Sequence, residues 1–338
     1  MRFSNDTLAK ICKYTILLMV VNFTAMNNYC LLGQKIPKGS EETIQEIDDL
    51  NDISWKLRKE KVDSSLLLAQ QAYQLSLQDN YKLGEALSLT TIGLAWQNKG
   101  RFDSSKHYLE ENLKVRSALR DTVLIASAHN NLGKLYGDLI DNTAAEFHFR
   151  ESLRLYEKLE SVSGAATVYN NLGVFYKNQG SFEKSLEALT SSLSRREALG
   201  HQIPIGKTLM NLGNLFERMG HREKSLEYYG RALNLFDQNN YLEGLADINN
   251  NIANVFFLSQ ELEKAKVHYS KSLEYEVQLN NGLGIAETNF GLALIFKAEN
   301  RTEEAVNTLF PLTDSFYKGR KPQLYGEANL RLGKIYVQ

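Results

Sequence analysis

Cysteine is nearly absent from this chain of 338 residues: the two present, Cys12 and Cys30, both precede Gln34. The rest therefore holds no disulfide and no thiolate for a zinc site. Only four prolines occur, and no stretch alternates apolar and polar residues long enough to read as a strand. Charge of one sign is lacking as well. With 39 basic and 40 acidic residues the net charge is -1, which gives no basic excess to neutralise a phosphate backbone or an anionic membrane surface. Nucleic acid is thus not an expected partner. The six histidines form no i,i+4 pair with a third ligand nearby, so neither a metal nor another cofactor is expected. Gly-x-Ser-x-Gly, HExxH and kinase signatures are all missing, which argues against an enzyme. Gly282 and Gly284 resemble a phosphate loop only until Glu287, where the third glycine would stand; they read as a turn between repeats.

What is present is hydrophobic and helix-forming. A content of 43% hydrophobic and 23% charged residues suffices for a large core, and Leu, Ala, Glu, Lys and Gln dominate. The first 33 residues differ from the rest. Arg2, Lys10 and Lys13 precede an apolar run from Thr15 to Val21, then polar Asn27 and Asn28. The run is shorter than the about 20 apolar residues that a membrane span needs. Residues 1–33 are expected to be a secretion signal cut between Gly33 and Gln34, or else an N-terminal helical anchor. The expected location is extracytoplasmic, periplasmic or membrane-associated, with a cytoplasmic chain as the alternative.

From residue 81 onward the sequence repeats every 40 residues. A bulky–small pair with an aromatic three residues later appears as Ile92-Gly93 with Trp96, Leu132-Gly133 with Tyr136, and Leu172-Gly173 with Tyr176. It continues as Leu212-Gly213 with Phe216, Ile252-Ala253 with Phe256, Leu292-Ala293 with Phe296, and Leu332-Gly333 with Tyr336. A second column, six or seven residues earlier, is always small: Ala86, Ala126, Ala166, Gly206, Ala246, Ala286, Gly326. Each unit reads as two helices, for example from about Leu124 to Asp138 and from about Thr143 to Glu160. Gly100, Gly180 and Gly220 fall where a first helix would end, and Asn80, Asp121, Gly200, Asn240 and Asn280 read as turns between units. Asp63-Ser64-Ser65 matches Asp103-Ser104-Ser105, so residues 34–80 read as a divergent capping repeat. The last unit stops at Gln338 without a second helix. Either a lone capping helix or the front part of a longer chain fits that ending, because Leu330, Leu332, Ile335 and Val337 form an apolar face.

Leu132, Gly133, Tyr136, Ala145 and Phe149, and again Leu212, Gly213, Phe216, Ser225, Tyr229 and Ala232, resemble the tetratricopeptide-repeat (TPR) pattern. The resemblance covers about residues 51–338. It departs from the usual 34-residue repeat in length, and the usual closing proline is missing, as in the 40-residue variety found in kinesin light chains, spindle-orienting scaffolds and some bacterial peptide receptors. It implies an all-α fold, a right-handed α-α superhelix of about seven helix-turn-helix repeats, with a peptide or protein segment bound in its concave groove. Similar repeats in secreted bacterial chains form the sensor of a histidine kinase or transcription regulator. This second reading brings a membrane-anchored signalling partner. A cytoplasmic assembly scaffold is a third.

The candidate binding residues are asparagines. Asn131, Asn171, Asn211 and Asn251 precede the bulky–small pair in four units, with Asn130, Asn170 and Asn250 beside them. An amide offers two donors and an acceptor, enough to hold an extended peptide backbone, as related arrays do at matching positions. The same amides could equally bond neighbouring helices. Further along these helices, Asn214, Asn254, Lys177, Arg218, Lys297 and Phe257 are expected toward the groove. The three cations hint at a ligand with carboxylates, although Asp138, Glu217, Asp247 and Glu287 share those helices.

Overall fold

The computed structural model describes residues 41–58, 61–313, 326 and 328–330. The leader or anchor expected over residues 1–33, and the apolar face expected at Leu332, Ile335 and Val337, lie outside them. Among the described residues there are fourteen α-helices and no strand. They run as α1 (Glu41–Leu57), α2 (Val62–Gln78), α3 (Lys82–Asn98), α4 (Phe102–Leu119), α5 (Thr122–Asp138), α6 (Asn142–Lys158) and α7 (Val162–Asn178). Then come α8 (Phe182–Leu199), α9 (Gln202–Arg218), α10 (Arg222–Gln238), α11 (Leu242–Leu258), α12 (Leu262–Gln278), α13 (Gly282–Ala298) and α14 (Thr302–Leu309), ending in a 3-10 turn, Phe310–Thr313. No described helix is long and apolar enough to cross a membrane.

Left-handed residues punctuate the chain every twenty positions, and this sets the regularity of the array. Asn80, Gly100, Arg120, Ile140, Glu160, Gly180 and so on to Asn300 all have positive φ. Each lets the chain turn back while donating its N–H to a carbonyl of the helix just ended, as Gly180 does to Lys177 and Asn240 to Asp237. Asp121 therefore does a different job from the one expected. Arg120 makes the turn, and the Asp121 carboxylate caps α5 by accepting from the Leu124 N–H at 3.0 Å.

Within a unit the small column brings two helices close. A Cβ on Gly133 would sit 2.7 Å from the Phe149 ring, and one on Gly213 would sit 2.4 Å from Tyr229. The aromatic of the first helix is then covered by a ring from the second: His148 stacks on Tyr136, Tyr228 on Phe216 and His268 on Phe256, with centroids 5.3, 5.3 and 5.6 Å apart. Packing thus accounts for these histidines. The second small column is bonded through its backbone. Ser152, Ser192 and Ser272 donate to the carbonyls of Ala126, Ala166 and Ala246 at 2.7, 2.8 and 2.9 Å, and Asn112 does the same to Ala86.

One further column locks each unit to the next. The residue near the end of each second helix reaches the start of the following first helix. Tyr156 fills the space over Gly164, Phe236 lies against Gly244, and Glu276 lies against Gly284. Buried Arg116 donates to the Leu124 carbonyl, and buried Arg196 to the Pro204 carbonyl and the Thr208 hydroxyl. Burial lowers both guanidinium pKa values to about 10.

Candidate functional site: the inner face of the first helices

The curvature of the array follows from which helices meet across units. Helix α5 meets α7, α7 meets α9, α9 meets α11 and α11 meets α13, while no comparable contact joins the second helices α4, α6, α8, α10 and α12 to one another. First helices therefore crowd on the inside, and their shared face is concave.

The asparagine column lies on this face as a ladder. Asn171 Nδ2 donates to Asn130 Oδ1 at 3.0 Å, and Asn211 Nδ2 donates to Asn170 Oδ1 at 3.0 Å. In the next unit Met210 replaces the flanking asparagine, and Asn251 Nδ2 turns to Asn214 Oδ1 at 3.2 Å. Asn250 donates to the Thr288 hydroxyl at 3.3 Å, and Asn254 to Asn250 at 3.5 Å. The amides thus tie neighbouring units together through side-chain partners, which spacing alone did not reveal. They are nonetheless half-buried, not sealed, and each rung uses one of an amide's donors. Asn131 stands before the ladder begins, because the partner position one unit earlier is Thr90, whose hydroxyl donates to Ala86 and accepts from Arg116.

Beyond the ladder the face carries charge. Lys177 is half-buried, and its pKa is lowered by burial and by Arg218 nearby, against the opposing pull of Glu217. Arg218 is exposed, and Lys297 and Phe257 are half-buried at matching positions one turn on. Glu217 accepts from the Tyr229 hydroxyl at 2.9 Å, and that hydroxyl also reaches Asn214 Oδ1 at 2.5 Å. Buried rings of the second helices therefore prop the groove amides from behind, a support that the sequence pattern gave no reason to expect.

Toward α13 the face opens into a pocket of about 410 Å³. Asn250, Asn251 and Asn254 form one side, Met210, Phe290 and Leu294 the apolar walls, Tyr269 the floor, and Asp247 and Glu287 the acidic rim. No Lys, Arg or His lines it, so the carboxylate-bearing ligand suggested by Lys177, Arg218 and Lys297 has no counter-charge here. Among the described residues no group of three His, Cys, Asp or Glu is placed to hold a metal ion.

Comparison with known proteins agrees with this architecture. Family models described as tetratricopeptide repeat match residues 126–159 and 164–238. No curated protein sequence matches significantly. Among solved structures, the apo form of the quorum sensor NprR from B. thuringiensis is similar, at 16% identity with a TM-score of 0.62, covering 98% of this chain and 90% of that one. NprR in complex with its cognate peptide NprX is similar at 16% identity and a TM-score of 0.60, covering 100% and 98%. Aspartyl phosphate phosphatase F from Bacillus subtilis is similar at 13% identity and a TM-score of 0.59, covering 90% and 96%. At these identities the likeness is one of fold. With its forty-residue helix pairs, its bulky–small–aromatic signature and the two matching family models, the chain is a tetratricopeptide-repeat protein.

Proposed function

We propose that the concave face of this protein binds an extended peptide or protein segment and that the molecule acts as an interaction module without catalysis. The observation that carries this reading is the half-buried amide ladder running along four successive first helices, α5, α7, α9 and α11, with a last rung to the Thr288 hydroxyl of α13. Amides with remaining donors and acceptors at a regular spacing suit a regular backbone, and a backbone ligand is held whatever its sequence. The peptide complex of NprR, which has a similar fold, supports the reading. The proposed setting is extracytoplasmic, with residues 1–33 as leader or anchor and a membrane-anchored signalling protein as one partner class. The sensor of a kinase or transcription regulator is the alternative form of the same binding role.

Photo-cross-linking tests it. A benzophenone amino acid replaces Asn254 on the inner face or exposed Phe147 on α6, and the protein carrying it is illuminated in native extract. A discrete peptide-containing adduct at position 254 and none at 147 is the expected result. Equal labelling at both positions overturns the concave site. Replacing Asn171, Asn211 and Asn251 together by Ala is expected to remove the adduct while each exchange costs about 1 kcal/mol of stability, because the lost rungs are half-exposed.

A further inference from the structure

Two of the helix pairs close on a hydrogen bond at the same place in the unit, made by different groups. Between α11 and α12, His268 Nδ1 meets Asn249 Oδ1 at 2.9 Å. Three units earlier, between α5 and α6, the matching positions hold His148 and His129, and their two Nδ1 atoms lie 2.9 Å apart. An amide oxygen only accepts, so His268 donates its Nδ1–H, and it keeps that donor whether the ring is neutral or charged. The histidine pair behaves otherwise. With both rings neutral, the Nδ1–H of one donates to the bare Nδ1 of the other, and one added proton leaves that bond in place. A second proton sets two N–H groups of two cations against each other, and attraction turns to repulsion.

The surroundings hold the pair in its neutral form. Both rings are half-buried, with His148 stacked on Tyr136 and Phe147 set edge-on to both. Burial lowers the pKa of His129, with Glu151 opposing and Arg154 assisting. Burial and then His129 lower that of His148 to about 4, with Glu110 opposing. Glu110 reaches the pair from α4, and Glu151 and Arg154 from α6. These carboxylates are engaged elsewhere, Glu110 by the Tyr136 hydroxyl at 2.7 Å and Glu151 by Arg154 at 2.8 Å. On the side of α7, neutral Asn171 bonds Asn130, the residue after His129. Both histidine pKa values lie below the ordinary 6.5, so the folded protein holds fewer protons than the unfolded chain. The stabilisation is full above about pH 6.5 and is lost as pH falls through about 4.

We propose that His129 and His148 form a proton-operated latch: in acid their bond breaks, α5 loosens from α6, and the first rung of the asparagine ladder, Asn171 to Asn130, loosens with it. The latch needs only the two rings and stands apart from any ligand of the groove.

Amide hydrogen exchange in the full chain tests it, read as protection factors from which the pH dependence of chemical exchange has been removed. The wild type is compared, between about pH 6 and about pH 4, with His129→Asn and with His148→Tyr. The first variant copies the Asn249–His268 pair, and the second copies Tyr228 stacked on Phe216 and stays neutral in acid. Buried Glu276, whose pKa burial pushes up to about 7, already holds its proton across this range. The expected result is a fall of about tenfold in protection along α5 of the wild type, the equivalent of one pKa unit, with α11 and the α5 of both variants changing far less. Unchanged protection in wild-type α5 overturns the latch. An equal fall in α5 and α11 overturns it too, because the whole array is then yielding to acid. So does an equal fall in α5 of a variant, and either variant decides the point if the other fails to fold.

Discussion

Ile140 shows how strongly one position can be constrained. It lies at φ 60, where its branched Cβ crowds the backbone, and its side chain is 79% exposed, so little packing repays the strain. The same place in other units holds Gly100, Gly180 and Gly220. Replacing Ile140→Gly is expected to stabilise the protein by about 0.5–1 kcal/mol, the strain relief less the extra freedom glycine gives the unfolded chain. Guanidinium unfolding of the two proteins checks it, and a lower midpoint for the variant refutes it. The glycines at this column announced the turn in the sequence. Ile140 and Gln260 did not, because the backbone demand there is met against local preference.

At the scale of helices, the contacts between units divide into what the sequence shows and what it hides. The small columns and the stacked rings were legible, because both keep one residue class at a fixed spacing. The start expected for α5 is two residues late, since the Asp121 carboxylate caps it, and the end expected for α6 is two residues too far on, since the helix closes at Leu159 before left-handed Glu160. The joints between units were not legible. Their column reads Ser76, Arg116, Tyr156, Arg196, Phe236, Glu276, a set with no shared chemistry. Only the structure shows that each reaches the start of the next helix. The asparagines were found by the same counting, but their rungs to one another depend on how neighbouring first helices lie, which spacing does not encode.

Glu276 makes one of these joints dependent on pH. Its folded pKa of about 7 lies above the ordinary value of 4.5, so the folded protein holds a proton that the unfolded chain releases. The stabilisation is full below about pH 4.5 and is lost as pH rises through about 7. Glu276→Gln is expected to remove that loss. Between pH 5 and 8 the variant should hold its urea midpoint more nearly constant than the wild type, with the difference largest at about pH 8. Parallel curves would show that the Glu276 carboxyl ionises normally.

For the molecule as a whole, each unit touches mainly its neighbours, so stability is a sum of unit and joint contributions. Residues 161–200 comprise α7 and α8, bounded by left-handed residues at Glu160 and Gly200. Deleting this stretch leaves Glu160 followed by His201, with Tyr156 facing Pro204 in place of Gly164. The shortened chain is expected to fold with undiminished helicity per residue. Its stability should be lower by about 1–3 kcal/mol, from that one crowded joint and a shorter array. Circular dichroism during thermal unfolding reads both quantities, and loss of cooperative melting would refute the expectation.

The twenty-residue rhythm of left-handed backbone has a consequence for how such a protein can change over generations. Because every unit begins and ends in the same backbone state, duplication or excision of one forty-residue block rejoins like with like. On the proposed peptide-binding reading, the length of ligand that the inner face would grip then changes in increments of one helix spacing, about 8–10 Å or about three residues of extended chain. Recombination within the gene could thus set how much of a partner is read without inventing a new surface.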